Sequence, residues 1–234
     1  MSDPAVQIAD NVARVRSHIA DAAARVGRSP DAVTLVAVTK YVSAEMVRPL
    51  VAADCFELGE SRPQKLWDKA AALADLPVRW HMIGHLQRNK VRKTLPLVTL
   101  IHSIDSPQLL TEIDEQAEQP VRALLEVNIS GEAAKHGFTP ESLERFLPEL
   151  AKCRHVTVHG LMAMAALEGG PDEARRDFAA LRQLRDRLQT QCPPGMTLNE
   201  LSMGMSNDFE AAIEEGATLV RVGSALFEGV LPSG

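Results

Sequence analysis

The chain has 234 residues, of which 45% are apolar, and this length predicts one large α/β barrel or two small domains. Its formal net charge of −6, with lysine and arginine scattered rather than clustered, argues against a nucleic-acid-binding protein. No apolar run approaches the roughly 18 residues that a membrane span requires, so we predict no membrane association.

The N-terminus and the cysteines predict a cytoplasmic protein. The first residues combine acidic side chains with an amphipathic pattern, whereas a secretory signal begins with a basic region followed by an apolar block. Cys55, Cys153 and Cys192 are odd in number and lack CxxC spacing. We therefore interpret them as reduced thiols rather than as disulfide partners or metal ligands.

The first predicted element is an amphipathic helix within residues 1–30. Apolar residues recur at spacings of three and four from Ile8 to Val26, and Gly27 and Pro30 then end the helix. Eight short apolar or β-branched segments follow, and helical patterns lie between them. The predicted strands are Val33–Thr39, Cys55–Gly59, Val78–Ile83, Leu100–Ile104, Val121–Asn128, Val156–Met162, Thr197–Ser202 and Leu219–Val222.

Eight strands that alternate with helices predict an α/β protein with a single closed (β/α)8 barrel of the TIM type. A doubly wound open sheet would use fewer strands and usually carries GxGxxG after its first strand, which this sequence lacks. No linker, low-complexity segment or fixed repeat divides the chain. We therefore predict one domain over residues 1–234, with residues 1–30 as a helix packed on the barrel. Barrels keep their chemistry at the C-terminal ends of the strands, where we expect the functional residues.

Lys40 follows the almost wholly apolar first strand. At this position we expect its side chain to be desolvated, which disfavours the charged ammonium form. A neutral amine can attack a carbonyl and form an imine. From position alone, a surface lysine just past the strand end is an equally good interpretation.

Two clusters of glycine and serine follow the seventh and eighth strands. Ser202, Gly204 and Ser206 form the first cluster, and Gly223 and Ser224 form the second. Glycine lets the backbone approach an anion, serine adds hydroxyl donors, and barrels frequently bind phosphate after these two strands. Each cluster alone is more typical of an ordinary strand-to-helix turn, but together they predict a phosphate site.

Arg221 lies in the otherwise apolar eighth strand, where a guanidinium needs an acceptor. A barrel carboxylate such as Glu126 or an atom of a ligand could supply that acceptor, and both interpretations stay open. We interpret His81 as a structural histidine, and the spacing of His81, His85 and His102 does not match a zinc site. The sequence therefore predicts no metal and no Ser-His-Asp relay.

Six segments match, in order, the motifs of one known family: Ala37–Lys40, Leu58–Ser61, Trp80–Lys90, Gly160–Met164, Leu201–Ser206 and Val220–Ser224. Over residues 33–227 the chain resembles the pyridoxal phosphate homeostasis proteins of the YggS/PROSC type. The most specific motifs are Trp-His-x-Ile-Gly-x-Leu-Gln-x-Asn-Lys and Ser-x-Gly-Met-Ser. The resemblance implies a barrel similar to the N-terminal domain of alanine racemase, with pyridoxal 5′-phosphate as cofactor.

The resemblance assigns eleven residues to the cofactor: Lys40, Ser61, Ile83, Met162, Ser202, Gly204, Met205, Ser206, Arg221, Gly223 and Ser224. By this assignment Lys40 would carry the cofactor as a Schiff base, and Arg221 would face the pyridine nitrogen. The phosphate would be held by Ser206, Gly223 and Ser224, with Ser202, Gly204 and Met205 in the same wall. Ile83 and Met162 would lie against the ring.

The resemblance further implies a cofactor carrier or buffer in vitamin B6 and amino-acid homeostasis, without catalytic residues. An arginine beside the pyridine nitrogen disfavours its protonation, and an unprotonated ring is a poorer electron sink. Tyr41 is the one tyrosine of the chain, so a racemase of the alanine racemase kind would lack half its acid–base pair. Pyridoxal phosphate-dependent apoenzymes are the expected partners, and a monomer is the expected state.

Three alternatives remain open. The chain could be a small pyridoxal phosphate enzyme, a racemase or lyase that acts on amino acids. It could also be a barrel enzyme that uses an imine on Lys40 with a sugar phosphate, as aldolases do. An interaction scaffold is the third alternative, but it gives no reason for phosphate-type clusters after strands seven and eight.

Overall fold

Eight parallel strands close into a barrel in a computed structural model that describes residues 3–132, 136–166, 169–193 and 196–231. The strands follow one another around the barrel in chain order, and the last pairs with the first. They are β1 Thr34–Val38, β2 Glu57–Glu60, β3 Arg79–Met82, β4 Val98–Ile104, β5 Val121–Glu126, β6 Val156–Met162, β7 Glu200–Ser202 and β8 Leu219–Val222. The predicted barrel class is confirmed.

Helices cover the outside of the strands. They are α1 Pro4–Arg25, α2 Ala44–Ala52, α3 Pro63–Ala72, α4 Val91–Thr94, α5 Pro107–Gln116, α6 Pro140–Phe146, α7 Pro171–Gln189 and α8 Phe209–Glu214. Their apolar faces and the outward side chains of the strands form the larger of two buried clusters. Among the described residues, no helix combines the length and the apolar character that crossing a bilayer would demand.

Helix α1 begins and packs as the sequence pattern predicts. The Asp3 carboxylate accepts a hydrogen bond from the Ala5 N–H at 2.9 Å, and proline occupies the first helical position. The helix contacts α8 and the C-terminal 3-10 segment Ser224–Phe227. Its buried Asn11 side chain donates to the Leu226 and Glu228 carbonyls at 3.2 and 2.9 Å. These bonds hold the last described turn against α1.

Two predicted strands, Cys55–Gly59 and Thr197–Ser202, begin earlier in the prediction than in the structure. Residues 53–55 complete the end of α2, because Asp54 adopts a φ of 60° and the Cys55 N–H donates to the Leu50 carbonyl at 2.9 Å. β2 therefore begins at Glu57. β7 begins at Glu200 and contains three residues, which pair with the neighbouring strands.

The interior of the barrel has an apolar floor with a polar layer above it. A separate buried cluster contains one residue from each of five strands: Val36, Leu100, Leu124, Met162 and Leu219. Because side chains alternate along a strand, residues two positions later also face inward. Those residues include His102, Glu126 and Arg221, which are all buried. The barrel therefore presents buried polar groups towards the end at which its strands finish.

Candidate functional site

Barrel closure brings Lys40 beside the turn that follows β8. β1 pairs with β8 so that Ala37 lies opposite Val222, which places Val38 next to Gly223. The two backbones are close there, because a Cβ atom added to Gly223 would lie 3.3 Å from the Val38 Cβ atom. Lys40 is two residues beyond Val38. It therefore lies at the rim of the barrel, adjacent to the second glycine and serine cluster.

The Lys40 amine is open to solvent. The residue is exposed, and its Nζ atom lies 4.9 Å from the centre of the Tyr41 ring, which is itself 79% exposed. With the described residues Lys40 forms no hydrogen bond and no ion pair. The prediction that Lys40 is desolvated is wrong, because β1 ends at Val38 and Lys40 lies in the turn beyond the packed wall. A small carbonyl compound can reach this amine directly.

A second lysine near this strand end is already paired. Lys69 of α3 donates to the Thr39 carbonyl at 2.5 Å and to the Glu60 carboxylate, and all three residues are buried. The Thr39 hydroxyl donates to the same carboxylate at 3.0 Å. A buried charge is stable only when it is paired and hydrogen-bonded, so these contacts fix Lys69 and the end of β1. Lys40, rather than Lys69, offers the available amine.

The turns after β7 and β8 form a cradle of hydrogen-bond donors. The Ser206 Oγ atom accepts from the backbone N–H groups of Gly223 at 3.1 Å and Ala225 at 3.5 Å, which joins the two turns. Within the described ranges, the backbone N–H groups of Ser206 and Ser224 donate to no other residue. Unpaired N–H groups beside serine hydroxyls suit an anion.

Gly204 and Met205 shape this cradle from below. Gly204 has a φ of +88°, and an added Cβ atom would lie 2.9 Å from the Phe209 Cα atom. Only glycine fits this buried position under α8. Met205 is 37% exposed, and its N–H donates to the Asp208 carboxylate at 2.5 Å. Burial raises the pKa of Asp208, and the Met205 N–H and the charge of Arg221 oppose that rise.

Arg221 is a buried cation without a salt bridge among the described residues. Its guanidinium donates to the Ser202 hydroxyl at 2.6 Å and to the Ala163 carbonyl at 3.0 Å. Burial lowers the pKa of Arg221 to about 10, while the charges of Asp208 and Glu126 act in the opposite direction. The arginine therefore remains charged at neutral pH, and the suggested salt bridge with Glu126 is not formed. Its remaining N–H groups are available to a ligand.

A chain of hydrogen bonds runs from Arg221 through the barrel to Glu57. His102 Nδ1 lies 2.8 Å from the Ser202 hydroxyl, and its Nε2 lies 2.8 Å from His81 Nδ1. His81 Nε2 in turn lies 2.8 Å from the Glu57 carboxylate. The five residues of this hydrogen-bond chain come from five different strands, and their side chains face the barrel interior.

Burial and nearby charges set the protonation state of two members of this chain. Burial, with the charges of His81 and Arg221, holds the pKa of His102 well below its usual value, so its ring is neutral. Burial raises the pKa of Glu57, but hydrogen bonds from His81 and Arg79 outweigh it and keep the carboxyl ionised.

A neutral His81 can donate from Nε2 to Glu57 and accept at Nδ1 from His102. His102 then accepts at its own Nδ1 from the Ser202 hydroxyl, which itself accepts from Arg221. In this arrangement, oriented dipoles connect the buried cation to a carboxylate at the start of β2.

The structure distributes the predicted cofactor residues over two regions. Lys40, Ser206, Arg221, Gly223 and Ser224 come from adjacent strand ends of β1, β7 and β8. Ser202 lies inside the barrel and contacts Arg221, which the sequence did not indicate.

The other predicted residues lie deeper or further around the barrel. Met162 is 1% exposed within the apolar floor, and Ile83 is half-buried at the end of β3 beside Gly59. Ser61 is half-buried after β2, where Gly84 packs directly on its backbone. The sequence did not indicate the roles of His102 and Glu57, although strand alternation places their side chains inward.

Comparison with known families and proteins gives a consistent result. The family model described as "Alanine racemase, N-terminal domain" matches residues 6–230. The pyridoxal phosphate homeostasis protein of Aquifex aeolicus is 40% identical over 221 residues, which cover 93% of this chain and 96% of that protein. The protein of the same name from Escherichia coli K12 is 36% identical over 229 residues, covering 94% and 95%.

Solved structures agree with these relatives. PipY of Synechococcus elongatus PCC7942 with PLP bound superposes with a TM-score of 0.84 at 36% identity, covering 94% of this chain and 99% of PipY. Alanine racemase from Corynebacterium glutamicum superposes with a TM-score of 0.72 at 17% identity, covering 97% of this chain and 62% of the racemase. The second likeness supports the fold alone.

The neutral state of His102 predicts a loss of stability in mild acid. Because its pKa is lower in the folded protein than in the unfolded chain, the unfolded chain binds more protons below about pH 6.5. The free energy of unfolding keeps its full value above about pH 6.5. As the pH is lowered further, it decreases by up to about 1.4 kcal/mol per pH unit.

The substitution His102→Gln should remove this contribution to the slope of unfolding free energy against pH, as measured by chemical denaturation at a series of pH values. His18→Gln, which changes an exposed imidazole of α1, is the matched control. Equal slopes in the parent and His102→Gln would show that His102 is not held neutral.

Proposed function

The chain belongs to the family of pyridoxal phosphate homeostasis proteins, and on this premise we propose that it carries pyridoxal 5′-phosphate as a Schiff base on Lys40. One observation carries the proposal: barrel closure sets the exposed Lys40 amine beside the turn after β8, whose Ser224 N–H has no partner among the described residues. The PipY structure contains the same cofactor, which supports this choice of ligand.

The donor set fits a phosphorylated aldehyde. The Ser206 and Ser224 hydroxyls and N–H groups, with Gly223 between them in space, would hold the phosphate oxygens. When bound, pyridoxal phosphate supplies an aldehyde that condenses reversibly with an amine and a ring that withdraws electrons. Lys40 offers the amine. The buried carboxylate of Glu60 and the ammonium of Lys69 hold the strand end from which it projects.

Arg221 would meet the pyridine nitrogen. Two of its N–H groups are fixed by Ser202 and Ala163, and the guanidinium has five N–H donors in all. A guanidinium stays charged at neutral pH, so it can donate to the ring nitrogen but cannot accept a proton from it. The hydrogen-bond chain behind Ser202 holds this orientation. Ile83 and Met162 would flank the ring.

We propose a carrier or buffer rather than an enzyme because the site is open. Lys40 and Tyr41 are both exposed, whereas catalysis on a cofactor profits from exclusion of water. An open linkage lets water or an acceptor amine reach the cofactor and release it. The clients would be pyridoxal phosphate-dependent apoenzymes of the cytoplasm. A monomeric single domain over residues 1–234 remains part of this proposal.

Replacement of the proposed anchor is the first test. Lys40→Ala should abolish the imine absorption of the protein mixed with pyridoxal phosphate, because an alanine side chain cannot form the covalent bond. Lys65→Ala, which removes an exposed lysine of α3, should leave the absorption unchanged. Both variants should keep the far-UV circular dichroism of the parent. Retention of the absorption in Lys40→Ala would refute the assignment.

The phosphate cradle is tested by comparing two aldehydes. Hydrogen bonds to charged groups contribute about 1.5–3 kcal/mol each, so Ser206→Ala with Ser224→Ala should weaken pyridoxal phosphate binding about tenfold or more. The binding of pyridoxal, which has no phosphate, should change little. Absorption titrations measure both affinities. An equal loss for the two aldehydes would show that these serines do not hold the phosphate.

The carrier role is separated from catalysis by hydrogen exchange. A racemase or lyase of this fold would exchange the Cα proton of some amino acid with solvent deuterium at a catalytic rate. We expect no such turnover from the loaded protein across the common amino acids, while a pyridoxal phosphate-dependent apoenzyme gains activity from it. Rapid exchange with any one amino acid, followed by NMR, would establish the enzyme alternative instead.

A further inference from the structure

A second group of side chains at the same end of the barrel includes two histidines. His85 follows β3, Asp105 follows β4, and His136 lies between β5 and α6. One potential ligand atom from each residue lies within 4.8 Å of the other two. These strand ends are not those that carry Lys40 and the phosphate cradle. Imidazole and carboxylate are ligands that Zn²⁺ and related transition ions prefer.

One carboxylate anchors the group and two imidazoles are free to turn. The Asp105 side chain is 7% exposed, and its carboxylate accepts from the Ser106 hydroxyl at 3.0 Å and lies 2.7 Å from His85 Nδ1. His85 and His136 stack with their ring centres 4.6 Å apart and their planes at 18°. Both histidines are exposed. In the neutral tautomer protonated at Nε2, the His85 Nδ1 lone pair faces the Asp105 carboxylate, and a metal ion placed between these two atoms would replace their direct contact.

The spacing is close to that of a metal site. With bonds of about 2.1 Å, neighbouring ligands of a tetrahedral ion lie about 3.4 Å apart. Atoms at the 4.8 Å limit must therefore approach by about 1.4 Å, and the His85 and Asp105 atoms must move apart from 2.7 Å. The exposed imidazoles would move most, because they can rotate about their side-chain bonds without moving buried atoms.

We propose that His85, Asp105 and His136 bind one divalent transition-metal ion, with Zn²⁺ best suited to the three ligands. Three protein ligands leave one position for water. Mg²⁺ and Ca²⁺ prefer oxygen ligands and are disfavoured by two imidazoles. The sequence alone predicted no metal here, because His136 and His85 are separated by fifty residues and approach only in the folded barrel. The site does not depend on pyridoxal phosphate.

Zinc titration of the full chain by calorimetry, with and without pyridoxal phosphate, tests the proposal. Loss of even an outer-shell partner lowers metal affinity 10–100-fold, so His136→Asn and His85→Asn should each weaken the site by about 100-fold or more. His18→Asn, which changes an exposed histidine of α1, is the matched control and should leave affinity unchanged. Mg²⁺ should not compete. Circular dichroism and thermal melts should be the same for all four proteins.

Two results would overturn the proposal: a parent protein that binds no Zn²⁺ under these conditions, or a site whose affinity is unaffected by His136→Asn and His85→Asn. The second result would place the ion elsewhere in the protein. Neither result bears on Lys40, whose absorption test uses metal-free protein.

Discussion

The pairing of β1 with β8 is the constraint on which the proposed site depends. It joins the end of the first strand, where Lys40 projects into solvent, to the turn after β8, where the Ser224 N–H has no partner among the described residues. These two features are separated by more than 180 residues in the sequence, and only closure of the barrel brings them together. An open sheet made of the same strands would leave the amine and the anion cradle at opposite edges.

A buried polar layer supports the same site from inside the barrel. Among the described residues Arg221 has no carboxylate in a salt bridge with it, yet burying an unpaired charge is costly. The chain through Ser202, His102 and His81 to Glu57 offsets this cost with hydrogen bonds. The cation is thereby held towards the barrel mouth, with donors left over for a ligand.

Patterns local to the sequence predicted the framework well. Apolar periodicity identified the eight strands and α1, and the glycine and serine clusters marked the two turns that the structure joins through Ser206. The exposure of Lys40 was not predictable, because it depends on where β1 ends and on what packs above it. The hydrogen-bond chain behind Arg221 could not be predicted either, because its members come from five strands and no sequence spacing relates them.

Borohydride reduction of the protein loaded with pyridoxal phosphate, followed by peptide mapping, tests the central claim most directly. Reduction makes an imine permanent, so the label marks the amine that held the cofactor. We expect a single label on the peptide that contains Lys40. A label on Lys69, on Lys65 or on no lysine at all would contradict it.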